Sequence, residues 1–248
     1  MALLDVINIS KSFGGLLAID DVNFKMEEGE IVSLIGPNGA GKTTMFNVVC
    51  CFFPPSRGTV LFKGEKITGC KPFHICQKGI SRTFQITKSF QQMNLVENVM
   101  IGALFGKQAH SNLNHAREES ERLIDLFGLA GKAYMPVSSL TAIDARRLEL
   151  VRALAAKPEL LLLDEVMAGL NPSEITEAMA LIQKIRSEMG ITVLMVEHIM
   201  KSVMGISDRV LVLSYGALIA QGTPAEICGN QQVIEAYLGE TEDIVIKE

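Results

Sequence analysis

The run Gly36-Pro37-Asn38-Gly39-Ala40-Gly41-Lys42-Thr43 constrains what this chain can fold into more than any other segment. It follows a widely used pattern: glycine, four residues of any kind, then Gly-Lys and Ser or Thr. An apolar stretch, Ile31–Ile35, precedes it and a helix-compatible stretch beginning at Thr44 follows it. Glycines there let the backbone curl so that successive N–H groups point inward, and the following helix adds its positive end. Such a loop holds phosphates, with Lys42 reaching the β- and γ-phosphates of a nucleotide and the Thr43 hydroxyl offered to Mg2+.

The remaining sequence supplies a sheet for that loop to leave from. Residues 4–9, 22–26, 31–35 and 59–63 read as short strands separated by Gly, Asp and Pro. From Leu95 to about Ala156 apolar residues recur at three- and four-residue spacing, as in Leu123, Leu126 and Phe127, which predicts a helical insert. Residues 160–163, 192–196 and 210–213 are continuous apolar runs of the kind buried on both faces, and an amphipathic helix is expected over 173–189. This alternation predicts an α/β fold with a parallel sheet. The chain is expected to form a single domain over 1–248, with a core from about 1–85 and 157–248 and a helical subdomain over about 86–156. No internal repeat or low-complexity tract is present.

The run Leu160-Leu161-Leu162-Leu163-Asp164-Glu165 delivers two carboxylates at the end of a buried strand, where open α/β sheets bind ligands. Asp164 is placed to hold Mg2+. Glu165 suits a general base that polarises an attacking water.

Bulk properties narrow the classes of function. A formal net charge of -5 and a pI near 5.5 lack the basic footprint of a nucleic-acid binder. No stretch approaches the roughly 20 apolar residues of a spanning helix. The N-terminal residues lack the basic, apolar and small-residue series of a secretion signal, so the chain is expected in the cytosol. Cys50, Cys51, Cys70, Cys76 and Cys228 form no CxxC pair and are expected to be buried free thiols.

From about Leu4 to Gly239 the chain resembles the ABC ATPases, a family of P-loop NTPases. The resemblance implies an ABC ATPase core with an N-terminal antiparallel β subdomain and an inserted α-helical subdomain. It also implies ATP and Mg2+ as cofactors. Phe13 lies where the family stacks an aromatic on adenine, a contact worth roughly 1–3 kcal/mol in nucleic-acid systems. Arg82-Thr83-Phe84-Gln85 looks like the family's Q-loop, in which Gln85 touches Mg2+ or its water and reports nucleotide state to membrane subunits. His198 matches the switch histidine that binds the γ-phosphate. Ala168-Gly169-Leu170-Asn171 sits at the D-loop, with Asn171 in place of the more usual Asp.

The family signature, normally Leu-Ser-Gly-Gly-Gln, falls at Leu140-Thr141-Ala142-Ile143-Asp144. In the family this segment presents a hydroxyl and glycine amides to the γ-phosphate held by the partner's loop. Thr141 keeps the hydroxyl, Ala142 and Ile143 replace the glycines, and Asp144 brings a negative charge. The same residues read as a capping box, in which each side chain satisfies an amide at the helix start.

Lys11-Ser12-Phe13-Gly14-Gly15-Leu16, Asn94-Leu95-Val96-Glu97-Asn98-Val99, Ala168-Gly169-Leu170-Asn171-Pro172 and Ile234-Glu235-Ala236-Tyr237-Leu238-Gly239 look like the ATPases of branched-chain amino-acid importers. The resemblance implies a peripheral subunit on the cytoplasmic face of the membrane. Its partners are a second ABC ATPase subunit, two permease subunits and an extracytoplasmic binding protein acting through them. The altered signature makes a non-identical ATPase partner the expectation. Urea, amide or lipopolysaccharide transport, a soluble ABC protein acting on ribosomes or DNA, and a regulatory subunit with little turnover stand as alternatives.

Overall fold

The computed structural model describes residues 2–83, 89–109 and 112–237. In chain order its first elements are β1 (Leu4–Phe13), β2 (Leu16–Met26), β3 (Ile31–Ile35), α1 (Lys42–Val49), β4 (Arg57–Phe62) and β5 (Glu65–Lys66). Then come α2 (Pro72–Lys78), β6 (Ile80–Arg82), α3 (Leu95–Phe105), α4 (Leu113–Leu126), α5 (Ala142–Ala155) and β7 (Leu160–Asp164). The chain continues through α6 (Pro172–Met189), β8 (Thr192–Val196), α7 (Met200–Ile206), β9 (Arg209–Ser214), β10 (Ala217–Gly222) and α8 (Pro224–Cys228). These elements gather into two units, one formed by the residues up to Cys70 together with those from Met167 onward, the other by Lys71–Val166. The second unit is wider than the segment 86–156 marked out by helical periodicity, because α2 and the pair of strands β6 and β7 belong with it.

The first unit carries an antiparallel sheet in the order β2-β1-β4-β5. In β2, Val22, Phe24 and Met26 are buried while Asn23 and Lys25 are exposed, the period-2 pattern of a sheet with one dry face. β4 stops at Phe62, one residue short of the expected end. Lys63 and Gly64 both take positive φ (53° and 78°) and form the tight turn into β5.

The same unit carries the strand order β10-β9-β3-β8. All residues of β3 and β8 are buried, as their continuous apolar sequences predict. β3 runs parallel to β8 on one side and to β9 on the other. The carboxyl end of such a strand is where open α/β sheets place ligands. There the loop 36–43 departs.

In the second unit β6 runs parallel to β7, with Ile80 opposite Leu160 and Arg82 opposite Leu162. Leu160, Leu161, Leu162 and Leu163 are fully buried, each such side chain contributing about 1.5–3 kcal/mol. α3 starts on a capping box, Asn94 with Glu97. Asn98, also fully buried, holds the approach to that helix: its Oδ1 accepts from Phe90 N (2.8 Å) and its Nδ2 donates to the carbonyls of Phe90 (3.1 Å) and Asn94 (2.9 Å).

The cysteines are free thiols, but the expectation that all are buried holds only for Cys50 and Cys51. Cys228, the last residue of the short surface helix α8, is exposed. Burial pushes the Cys51 thiol up to about 11, so it stays protonated at neutral pH.

Candidate functional site

In the first unit the loop after β3 depends on two close backbone approaches. Gly36 has φ 150°, and a Cβ there would lie 2.1 Å from the Leu213 carbonyl oxygen. Gly41 has φ 101°, and its Cβ would lie 2.6 Å from the Ala18 carbonyl oxygen. Any larger residue would push the loop off its supports. Ala40, buried at the loop's centre, donates its N–H to Pro37 O (3.2 Å) and accepts at its carbonyl from Gly216 N (3.1 Å).

α1 begins from Gly41 with no side-chain cap and no acidic residue in its first turn. A helix start of this kind keeps its positive end available to an anion. The Lys42 ammonium donates to the carbonyls of Gly36 (2.6 Å) and Pro37 (2.7 Å), folded over the loop that carries it. Asn38, Gly39 and Thr43 are exposed and Thr44 is half-buried. The loop thus presents polar residues and backbone to solvent beside the ammonium's own residue.

Phe13, at the end of β1, is 45% exposed, enough to leave its ring open to a planar group. Its position is fixed by edge contact with Phe53, with ring centroids 5.2 Å apart and an 88° interplanar angle. The Lys11 ammonium lies 5.0 Å from both ring centroids. His198 follows β8 and is exposed, while its neighbour Glu197 is buried and accepts the Met167 N–H at 3.0 Å. Asn171 caps α6: its Oδ1 accepts from Ser173 N and Glu174 N (both 3.0 Å), and Glu174 accepts from Asn171 N (2.8 Å).

In the second unit Asp164 ends β7 with its side chain buried and ion-paired to Arg82 at 2.6 Å. The end of β6 is laced to β7 by Thr83, whose N–H donates to Leu162 O (2.9 Å) and whose Oγ1 accepts from Asp164 N (3.3 Å). Glu165 is half-buried and takes a left-handed backbone, φ 50°, so the chain turns sharply as it leaves the strand. A buried carboxylate costs several kcal/mol unless a cation compensates it, and here the Arg82 guanidinium does so. Carboxylate oxygens are hard donors of the kind Mg2+ takes, so Asp164 fits that ion by ligand type. Gln85 lies outside the described residues.

The start of α5 is built differently from that of α1. Thr141 Oγ1 accepts the Asp144 N–H (3.2 Å) and donates to Asp144 Oδ2 (2.7 Å), and the Lys132 ammonium pairs with the same oxygen. Ala142 is exposed, Ile143 half-buried and Asp144 only 6% exposed. Burial works against the ionised Asp144, but hydrogen bonds from Lys132 and Thr141 outweigh it and hold the group below the usual carboxylate range. The Asp144 charge is thus turned inward and neutralised. Sequence spacing could not reveal Lys132, twelve residues upstream, or the partnership of Arg82 with Asp164, which depends on strand pairing.

Residues 19–168 match the family model for ABC transporters, and residues 217–243 match that for the branched-chain amino acid ATP-binding cassette transporter. The chain is 41% identical over 254 residues to the high-affinity branched-chain amino acid transport ATP-binding protein BraF of Pseudomonas aeruginosa, covering 96% of this chain and 98% of that one. It is also 41% identical over 250 residues to the LivG protein of the same description from Escherichia coli, with the same coverage of each chain. The lipopolysaccharide export system ATP-binding protein LptB of Haemophilus influenzae is 32% identical over 240 residues, covering 97% of this chain and 98% of LptB. A crystal structure of a nucleotide-free ATP-binding cassette from an ABC transporter superposes with a TM-score of 0.86 at 28% identity, covering 96% of this chain and 99% of that one.

Proposed function

Because this chain belongs to the ABC transporter ATP-binding family, we propose that it is the ATP-hydrolysing motor of an importer for branched-chain or related amino acids. The observation that carries the motor reading is the uncapped start of α1 beneath an intact glycine loop with Lys42 folded over it. The cargo reading is supported by 41% identity over nearly the whole chain and by the match at residues 217–243.

The residues divide the work as follows. Phe13 stacks on adenine, and the backbone of residues 36–44 with Lys42 holds the phosphates. Mg2+, when bound, neutralises charge on the β- and γ-oxygens, and Thr43, Asp164 and Gln85 are the residues that would hold it. Glu165 takes the proton of the attacking water, and His198 donates to the γ-phosphate. Asn171 caps α6 and stands at the D-loop. Gln85 links the site to permease subunits.

The partner is a second, non-identical ATP-binding subunit with a glycine-containing signature. Two copies of this chain would give two sites that each lack the glycine amides. In a mixed pair the loop, Glu165 and His198 of this chain meet a full signature and form one fast site. Residues 141–144 then cover the partner's nucleotide, which binds and turns over slowly. The pair acts from the cytoplasmic face on two permease subunits and, through them, on an extracytoplasmic binding protein. No helix among the described residues is long and apolar enough to cross a membrane.

The test is Glu165→Gln in the assembled complex, with ATP affinity and turnover measured separately. Affinity should stay within about twofold while turnover falls roughly 10²–10⁴-fold. Undiminished turnover would remove Glu165 as the base. The matching change in the partner should cost much less, and equal losses from the two changes would sink the asymmetric pairing.

A further inference from the structure

Asp164, the carboxylate assigned above to Mg2+, already has a cation. Arg82 and Asp164 are 9% and 5% exposed in their side chains and meet at a single oxygen, Oδ2, at 2.6 Å. β6 brings the guanidinium there by strand pairing, and Thr83 fixes the two strand ends to each other. The pair is therefore built into the sheet.

Two physical consequences follow. With a guanidinium on Oδ2, Asp164 is held in one orientation by a charge-assisted hydrogen bond that needs no metal. Against that, a permanent positive charge beside the carboxylate repels a divalent cation brought to the same group. The phosphate oxygens of a bound nucleotide carry negative charge that offsets this repulsion.

Resting on the proposed role of Asp164, we infer that Arg82 is a positioning residue that sets the metal affinity of the site: it orients Asp164 and keeps divalent-ion binding weak until a nucleoside triphosphate supplies the balancing charge. This is a function for Arg82 distinct from holding the fold, because loss of a purely structural contact cannot tighten a metal site.

The experiment titrates Mn2+ into the full-length protein, first without nucleotide and then with a non-hydrolysable ATP analogue bound, reading free Mn2+ by electron paramagnetic resonance. Without nucleotide Arg82→Gln should tighten Mn2+ about tenfold, Arg82→Lys should stay within about twofold of wild type, and nucleotide affinity in EDTA should be unchanged in both. Unchanged or weaker Mn2+ binding by folded Arg82→Gln overturns the inference. Asp164→Asn, measured alongside, should weaken Mn2+ at least about tenfold. If Asp164→Asn has no effect, the assignment of Asp164 to the metal falls. If only Arg82→Gln has none, the role of Arg82 falls alone. Should Arg82→Gln fail to fold, hyperfine spectroscopy on wild-type protein carrying 15N-arginine decides the matter. A guanidinium nitrogen within about 6 Å of Mn2+, lost in Arg82→Lys, supports the inference, and its absence from wild type overturns it.

Discussion

At the start of α1 no side chain caps the first turn and no acidic residue stands in it, whereas at the start of α5 Thr141 and Asp144 close on each other and Lys132 closes on Asp144. Both helices begin with N–H groups that have no partner within the helix. In α1 the chain leaves them to a ligand and spends glycine at Gly36 and Gly41 to let the backbone approach. In α5 the chain itself supplies the acceptor for one of them, Thr141 Oγ1 for the Asp144 N–H, with Ala142 and Ile143 where glycines would be needed for close approach. A helix N-terminus is an anion site only when its own sequence declines to cap it. In this protein one of two such starts has been closed.

The largest effect should come from reopening the second start. Substituting Thr141→Ser, Ala142→Gly, Ile143→Gly and Asp144→Gln together restores glycine amides and removes the carboxylate. If self-capping is what disables this segment, ATPase turnover at the site it covers should rise by roughly 10²–10³-fold, measured in the assembled complex with the other site silenced by Glu165→Gln. No rise would mean that the difference between the two starts has no catalytic meaning.

A smaller effect should come from weakening the first. Lys42→Ala removes the ammonium but leaves the uncapped amides, and ATP affinity should fall roughly 10–100-fold by equilibrium binding. A loss below twofold would show that the backbone and helix end alone hold the phosphates, making the contrast between α1 and α5 sharper still.

The smallest concerns the closed clasp itself. The Asp144 carboxyl is held below its ordinary range, so its pairing adds stability that is fully present above the unfolded-state value of about 3.9 and is lost as pH falls through the lower folded value. Chemical denaturation of wild type against Asp144→Asn should show a difference of about 1 kcal/mol at pH 7 that shrinks below about pH 4. A difference independent of pH would show that the cap, and not the charge, is what Lys132 and Thr141 support.

Much of this arrangement was legible in the sequence because it is local. The loop 36–43, the buried run ending at Asp164 and the Thr141 to Asp144 cap each lie within a few consecutive residues, and spacing alone exposes their chemistry. The strands β3, β7 and β8 were legible because continuous apolar runs fit burial on both faces. What escaped depends on distant parts of the chain. Arg82 reaches Asp164 only because β6 pairs with β7, and Asn98 reads as an ordinary helix residue until its amide is seen holding residues 90–94. β5 and β6, with two and three residues, are too short for periodicity to declare them, and β10, nearly all half-buried, shows neither alternation nor a continuous apolar run.

The hydrogen bond from Met167 N to Glu197 Oε1 gives the first unit a mechanical property. Met167 leads into the segment that ends at Asn171, and Glu197 adjoins His198, so two surfaces that lie apart in sequence share one buried strut. Separating them would leave the buried Met167 N–H without its acceptor, at a cost of about 1–3 kcal/mol. That is roughly two to five times thermal energy, so the bond ties the root of residues 168–171 to the root of the segment that carries His198, and the two share one anchor in the interior.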